Sequence, residues 1–522
     1  MTKSPGLFTR VVSAVHRRAT GLPPGAVPYT VERGIRVPTG DGAQLVTDLY
    51  LPDGDARGTV LIRSPYGRGL PESLFHGRAF ADHGYQVVIQ SVRGTGGSTG
   101  TFRPIAQETS DSHDTVAWLR EQSWFSGRLA TLGGSYLGWT QWALMRDPPP
   151  ELRAAVVLVG PHDFSRAIRG TGSLALADFL GWSANVKALN SGGMSAMVTA
   201  GRRVTAALHE PTPELAAAAA LGDEPTWFDE WLAHPDLADP FWQQYDATSV
   251  LGTTTVPTLL IGGWHDVFVD QTLEQFRSLE SRQADVAMTI GPWTHLDTTV
   301  KAARVADTEA LAWFDEHVGG LERAREAAVR VYLTGAEQWR TLPTWPPSTT
   351  ELTLTLDASR LLSTEPGSGT VEFGYDPSDP TPSLGGRHMS AKAGRQDNRS
   401  IERRADVITF TSTALGQPLD VVGAPRVTLQ LKVTGAAPDL FVRLCEVDAR
   451  GRSWNVTEAF IRFDPTGGHV ELPLGSCAHR FRAGHRVRLQ ISGGAYPRFA
   501  RNPEPSHYTV DCAGSALSLP VE

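Results

Sequence analysis

Ser135, Asp266 and His295 follow one another along the chain, each just beyond a short apolar run. A serine hydroxyl becomes a nucleophile when a histidine takes its proton and a carboxylate orients that histidine. Ser135 has the most informative surroundings. Leu129-Ala130-Thr131-Leu132 runs into Gly133-Gly134-Ser135 and continues as Tyr136-Leu137-Gly138-Trp139-Thr140-Gln141-Trp142. That reads as strand, sharp turn and helix, with the serine strained and exposed above a sheet. The helix start behind it offers amide groups to a developing oxyanion. Gly133 meets one side of the G-x-S-x-G spacing, while Leu137 takes the other small position and Gly138 comes one residue late. Each residue also has a plainer use. Gly-x-Ser fits a tight loop, Asp266 fits a helix N-cap before Leu273, Phe276 and Leu279, and His295 fits a surface histidine. His265 and the pair His162-Asp163 compete for the same roles. Taken together in this chain order, the triad is the better reading.

Those residues need elements to hold them. Tyr29 to Leu51 alternates like strands, with Gly40-Asp41-Gly42 as a hairpin turn. Short apolar strands are expected at Gly58–Arg63, Gln86–Gln90, Ala154–Val159, Thr258–Ile261 and Val286–Ile290, and a helix at Ser110–Gln122. Apolar strands alternating with helices make a parallel sheet covered on both faces, with its site beyond the strands' carboxyl ends. The residues there are Tyr66, Arg93, Ser135, Pro161-His162-Asp163, Trp264-His265-Asp266 and Trp293-Thr294-His295. From about Arg166 to Ala247 the strand pattern stops. Helical runs such as Pro213–Leu221 and Trp227–Ala233 suggest an insertion over the sheet. After Ala327, short alternating runs broken by Pro and Gly, among them Val329–Leu333 and Arg426–Leu431, indicate an antiparallel sandwich or jelly roll.

The chain has 522 residues, too many for one core. A net charge of −8 argues against nucleic acid or an anionic membrane as partner. The three cysteines, Cys445, Cys477 and Cys512, do not form a disulfide framework, which favours a reducing, cytoplasmic setting. Lys3 to Arg18 lacks a continuous apolar core and reads as a short amphipathic helix rather than a signal peptide. No apolar stretch has membrane-spanning length. There is no P-loop and no Cys/His metal spacing, so neither cofactor nor metal is expected.

Five motifs carry a resemblance: Ser64-Pro65-Tyr66-Gly67, Val92-Arg93-Gly94-Thr95-Gly96, Gly133-Gly134-Ser135-Tyr136-Leu137-Gly138, Gly263-Trp264-His265-Asp266-Val267-Phe268 and Gly291-Pro292-Trp293-Thr294-His295. Together they resemble the cocaine-esterase (CocE/NonD) branch of the X-Pro dipeptidyl-peptidase-like serine hydrolases. Phe481–Arg486 and Tyr496–Phe499 are similar to that family's C-terminal domain. The late glycine after Ser135 is the family's own pattern. The resemblance implies an α/β-hydrolase fold with a helical cap insertion and a C-terminal β jelly-roll (galactose-binding-like) domain. The expected divisions are an N-terminal extension (1–28), the hydrolase core (29–165 and 248–326) interrupted by the cap (166–247), and the jelly roll (327–522). It also implies Ser135 as nucleophile, His295 as base, Asp266 as orienter, and an oxyanion hole from the Tyr66 hydroxyl and the Tyr136 N–H. Arg93 is expected to brace the glycine loop. Gly181-Trp182-Ser183-Ala184 resembles the cap motif that, with Phe268, walls the acyl pocket. The run Asp163–Gly172 departs from the family: it is shorter, with Arg169 and Gly170 in place of a pocket tryptophan, which argues against an aromatic acyl group.

The implied function is hydrolysis of a small-molecule carboxylic ester or amide through an acyl-enzyme, with a homodimeric partner left open. Release of X-Pro dipeptides or hydrolysis of α-amino acid esters is the alternative, which requires a carboxylate to hold a free amine; Asp178 is one candidate among several. A catalytically inactive carbohydrate-binding protein is the reading from outside the class.

Overall fold

The computed structural model describes residues 21–23, 25–69, 72–299 and 301–522. The expected helix at Lys3–Arg18 therefore lies outside the described residues. Ten strands form the first sheet: β1 (Tyr29–Pro38), β2 (Gln44–Pro52), β3 (Thr59–Ser64), β4 (Gln86–Ser91), β5 (Leu129–Gly134), β6 (Leu152–Leu158), β7 (Thr258–His265), β8 (Val286–Thr294), β9 (Val329–Leu333) and β10 (Gln338–Leu342). Their order is β1-β2-β4-β3-β5-β6-β7-β8-β9-β10. β3 through β9 run parallel to one another, and antiparallel strands close both edges. The β1–β2 turn falls at Gly40–Gly42, where the Thr39 and Ala43 backbones bond.

The central strands are apolar because helices cover both faces. β3, β4 and β7 are buried along their whole length. Helices α1 (Glu108–Arg120) and α2 (Tyr136–Leu144) link β4 to β5 and β5 to β6. Between β6 and β7 come α3 (Phe164–Arg169), α4 (Leu176–Ala207), α5 (Pro213–Leu221) and α6 (Trp227–Ala233), so the cap is helical. α5 and α6 begin at Pro213 and Trp227 because Thr212 and Thr226 accept from the first-turn amides, and Asp229 completes a capping box. α7 (Val269–Ser281) links β7 to β8, and α8 (Ala303–His317) links β8 to β9. Among the described residues no helix is long and apolar enough to cross a membrane.

Val329–Leu333, expected to open the C-terminal sandwich, instead pairs in parallel with β8. With β10 it extends the first sheet. Alternation marks a half-buried strand but does not say which sheet receives it. The second sheet has twelve strands, all antiparallel to their neighbours except Leu361–Ser363, which runs parallel to Val407–Ser412. Its organising strand is Ser506–Val521, which pairs with Thr350–Leu356, Thr370–Tyr375, Leu419–Gly423 and Arg426–Thr434. Its apolar core is separate and includes Leu356, Phe410, Leu429, Leu444, Leu489 and Tyr508. The fold is an α/β-hydrolase core with a helical cap and a C-terminal β-rich, jelly-roll-type domain.

Candidate active site

Ser135 ends β5 and begins α2 with φ 58° and ψ −122°, a conformation strained for a side-chain-bearing residue. Glycines on both sides permit the turn. A Cβ on Gly133 would meet the Leu137 Cβ at 2.3 Å, so Leu137 fits its position only because Gly133 has none. A Cβ on Gly138 would meet the Gly160 Cα at 2.6 Å. The late glycine therefore lets α2 pack against the chain leaving β6.

β7 and β8 deliver the other two candidates. Their ladder shifts register between Gly263 and His265, and the two strand ends carry Asp266 and His295 toward each other. His295 Nδ1 lies 2.6 Å from Asp266 Oδ1, and His295 Nε2 lies 3.0 Å from Ser135 Oγ. Asp266 is fully buried and also accepts the Phe268 N–H at 2.9 Å through its second oxygen. It thus serves as a cap-like acceptor and an imidazole orienter at once. With Nδ1–H donating to Asp266, Nε2 presents its lone pair to the serine hydroxyl. Phe268 is buried, with its ring edge-on to the His295 ring at 5.3 Å. It supports the imidazole more than it lines open space.

Tyr66 follows β3 and is half-buried. Its hydroxyl oxygen accepts the Trp182 indole N–H at 3.0 Å, leaving the phenolic proton free to donate. Burial pushes this phenol above its ordinary value, against hydrogen bonding with Trp182 and Ser135, so it stays protonated. The Tyr136 amide heads α2, where a helix leaves N–H groups without intrahelical partners. The Tyr136 side chain is locked: its hydroxyl donates to Glu108 at 2.7 Å and accepts the Ile105 N–H at 2.9 Å. Glu108 in turn pairs with Arg63 at 2.7 Å. The sequence carries no short-range signal for this buried chain from Arg63 to Tyr136. Trp182 lies nearly parallel to Tyr136 at 6.1 Å and to Trp231 at 6.2 Å, which seats the cap on the Ser135 turn.

The competing residues have other work. His162 is fully buried with Nδ1 3.2 Å from the Gln275 amide, and burial pulls it down to about 4. Asp163 caps α3 by accepting the Arg166 N–H. His265 lines a cavity of about 780 Å³, shared with Thr294, Arg395, Glu446 and His479, that none of the three candidates lines. Arg93 pairs with Asp111 at 2.6 Å and Asp41 at 2.7 Å and braces its loop. Arg169 donates to the Trp231 carbonyl at 2.9 Å. Asp178, one helical turn before Trp182, accepts the Met389 N–H at 2.7 Å from the second sheet's domain.

This arrangement can do nucleophilic acyl transfer. Residues 41–297 match the model of the X-Pro dipeptidyl-peptidase (S15) family, and residues 322–518 match that of the X-Pro dipeptidyl-peptidase C-terminal non-catalytic domain. A cocaine esterase from Rhodococcus sp. is 30% identical, with 91% of this chain and 92% of the relative aligned. The chain belongs to the cocaine-esterase-like (CocE/NonD) serine hydrolases. Two solved structures share this family member's fold over nearly all of its length. An α-amino acid ester hydrolase superposes with a TM-score of 0.79 at 23% identity, covering 96% of this chain and 99% of that one. An aminopeptidase from a marine-sediment Thaumarchaeota archaeon gives 0.80 at 21%, covering 96% and 98%.

Proposed function

We propose that this serine hydrolase cleaves small-molecule carboxylic esters with Ser135 as nucleophile. The observation that carries the assignment is the unbroken line from Asp266 through His295 to Ser135 Oγ, at 2.6 and 3.0 Å. Ser135 Oγ attacks the carbonyl carbon while His295 Nε2 takes its proton. The Tyr66 hydroxyl and the Tyr136 N–H hold the oxyanion. As the tetrahedral intermediate collapses, His295 gives the proton to the departing alcohol, leaving Ser135 acylated. Water then attacks the acyl carbon, His295 takes one proton from it, and Ser135 leaves with that proton as the acid is released.

The ester reading is preferred over release of X-Pro dipeptides or hydrolysis of α-amino acid esters. The relative that is 30% identical over nearly the whole chain is an esterase, and Asp178, the candidate ammonium anchor, is buried with one of its oxygens on the Met389 N–H. Three buried free thiols fit a cytoplasmic setting. The test is hydrolysis of p-nitrophenyl esters from acetyl to octanoyl, plus benzoyl, by wild type and Ser135→Ala. Loss of turnover in the variant and a preference for aliphatic acyl groups are expected. Equal rates in both proteins would remove Ser135 from the mechanism. Turnover of X-Pro anilides but not esters would replace the substrate class and keep the machinery.

A further inference from the structure

β8 carries His295 beyond its carboxyl end and Asp285 just before its amino end, ~30 Å away at the rise of an extended strand. There Asp285 meets the last turn of α8. One oxygen of Asp285, one of Glu316 and Nε2 of His317 all lie within 4.8 Å of one another. His317 Nε2 is 3.8 Å from Asp285 Oδ2 and 3.6 Å from Glu316 Oε1. The His317 side chain is only 10% exposed, and Nε2 is buried with no hydrogen-bond partner. Arg323 approaches the same carboxylates at 3.5 and 3.7 Å.

Every contact in this group is too long for a hydrogen bond. Elsewhere on the same helix, Arg57 and Asp315 close to 2.7 Å, and Arg325 and Glu309 also to 2.7 Å. Groups that converge and stop short of one another leave room for an ion. Two ligands each about 2.1 Å from a tetrahedral divalent ion stand about 3.4 Å apart, close to the spacing here. The Trp313 ring, 4.2 Å from the imidazole, fixes its position.

We propose that Asp285, Glu316 and His317 bind a divalent transition-metal ion such as Zn2+, with Arg323 covering the carboxylates when no ion is held. One imidazole with two carboxylates suits zinc better than calcium, which prefers an all-oxygen shell. The ion is structural: it ties the chain entering β8 to the end of α8, far from the acyl chemistry. Arg323 competes with it, so variants move affinity in opposite directions.

The test is calorimetric titration of ZnCl2 into the untagged, EDTA-treated and dialysed full chain, with the melting temperature followed in parallel. Expected are one zinc per chain and binding at least tenfold weaker in His317→Ala and in Asp285→Asn. Arg323→Ala should bind more tightly. Zinc should raise the melting temperature of wild type but not of His317→Ala, whose ester hydrolysis stays at the wild-type rate. No zinc uptake, uptake indifferent to both ligand variants, or calcium bound as tightly as zinc would overturn the proposal.

Discussion

Tyr66 shows how one hydroxyl is prepared for a transition state. Its oxygen is occupied by the Trp182 N–H, so its own proton is the part left to give. Removing one oxyanion donor typically lowers turnover by ~10²–10³. Tyr66→Phe should show that loss in kcat with only a small fall in melting temperature from the unpaired Trp182 N–H, and full activity would sink the assignment. Asp178 gives a pH signature. Burial pushes its carboxyl from 3.8 up to about 6, against the attraction of Arg498. The folded chain thus binds this proton more tightly than the unfolded chain. Its stabilising contribution is full below pH 3.8 and is lost as pH rises through about 6, on the order of 3 kcal/mol. Asp178→Asn keeps an acceptor for Met389 N–H and abolishes the titration. The melting temperature of the variant minus that of wild type should climb between pH 4 and 7; a flat difference would mean the carboxyl is ionised throughout. At this scale the sequence was informative where motifs sit at strand ends, as with Ser135, Asp266 and His295. It said nothing of Glu108 or Arg63, because partners that meet across 28 and 45 residues leave no local pattern.

Elements were legible where period and caps agreed. α5 and α6 run over Pro213–Leu221 and Trp227–Ala233, the helical runs expected there, and the structure adds the Thr212 and Thr226 caps that start them. β9 and β10 were not, since a five-residue alternating strand carries no address. The contact between α2 and the turn after β6 is equally invisible, because it depends on Gly138 and Gly160 lacking side chains. Gly138→Ala should therefore cost ~1–3 kcal/mol by overpacking, measured as a lower melting temperature, and reduce kcat as α2 shifts under Tyr136. A variant with wild-type stability would show that α2 has slack.

Across the whole molecule, Arg387 joins the second sheet's domain to the turn before Asp266. Its guanidinium donates to the Trp264 carbonyl at 3.1 Å and to Asp270 at 2.9 Å. Its backbone N–H donates to Glu458 at 2.9 Å. Burial raises the Glu458 carboxyl, but Arg443 and Arg498 outweigh it and hold the group well below its ordinary value. Arg387→Met should lower stability by about 2–3 kcal/mol and slow turnover, since charged hydrogen bonds are each worth that order. Unchanged turnover beside the stability loss would show that the Trp264–Asp266 turn holds itself.

The strand Ser506–Val521 pairs with four others, all of them earlier in the chain. A ribosome makes residues in order, so those earlier strands emerge before their shared partner exists. Through that interval they expose unpaired edges and one apolar face, the species most prone to associate with other chains. The first sheet is complete at Leu342 and owes nothing to this delay. Synthesis speed and chaperone supply over the last third of translation should therefore set the yield of folded protein, more than any property of the site that does the chemistry.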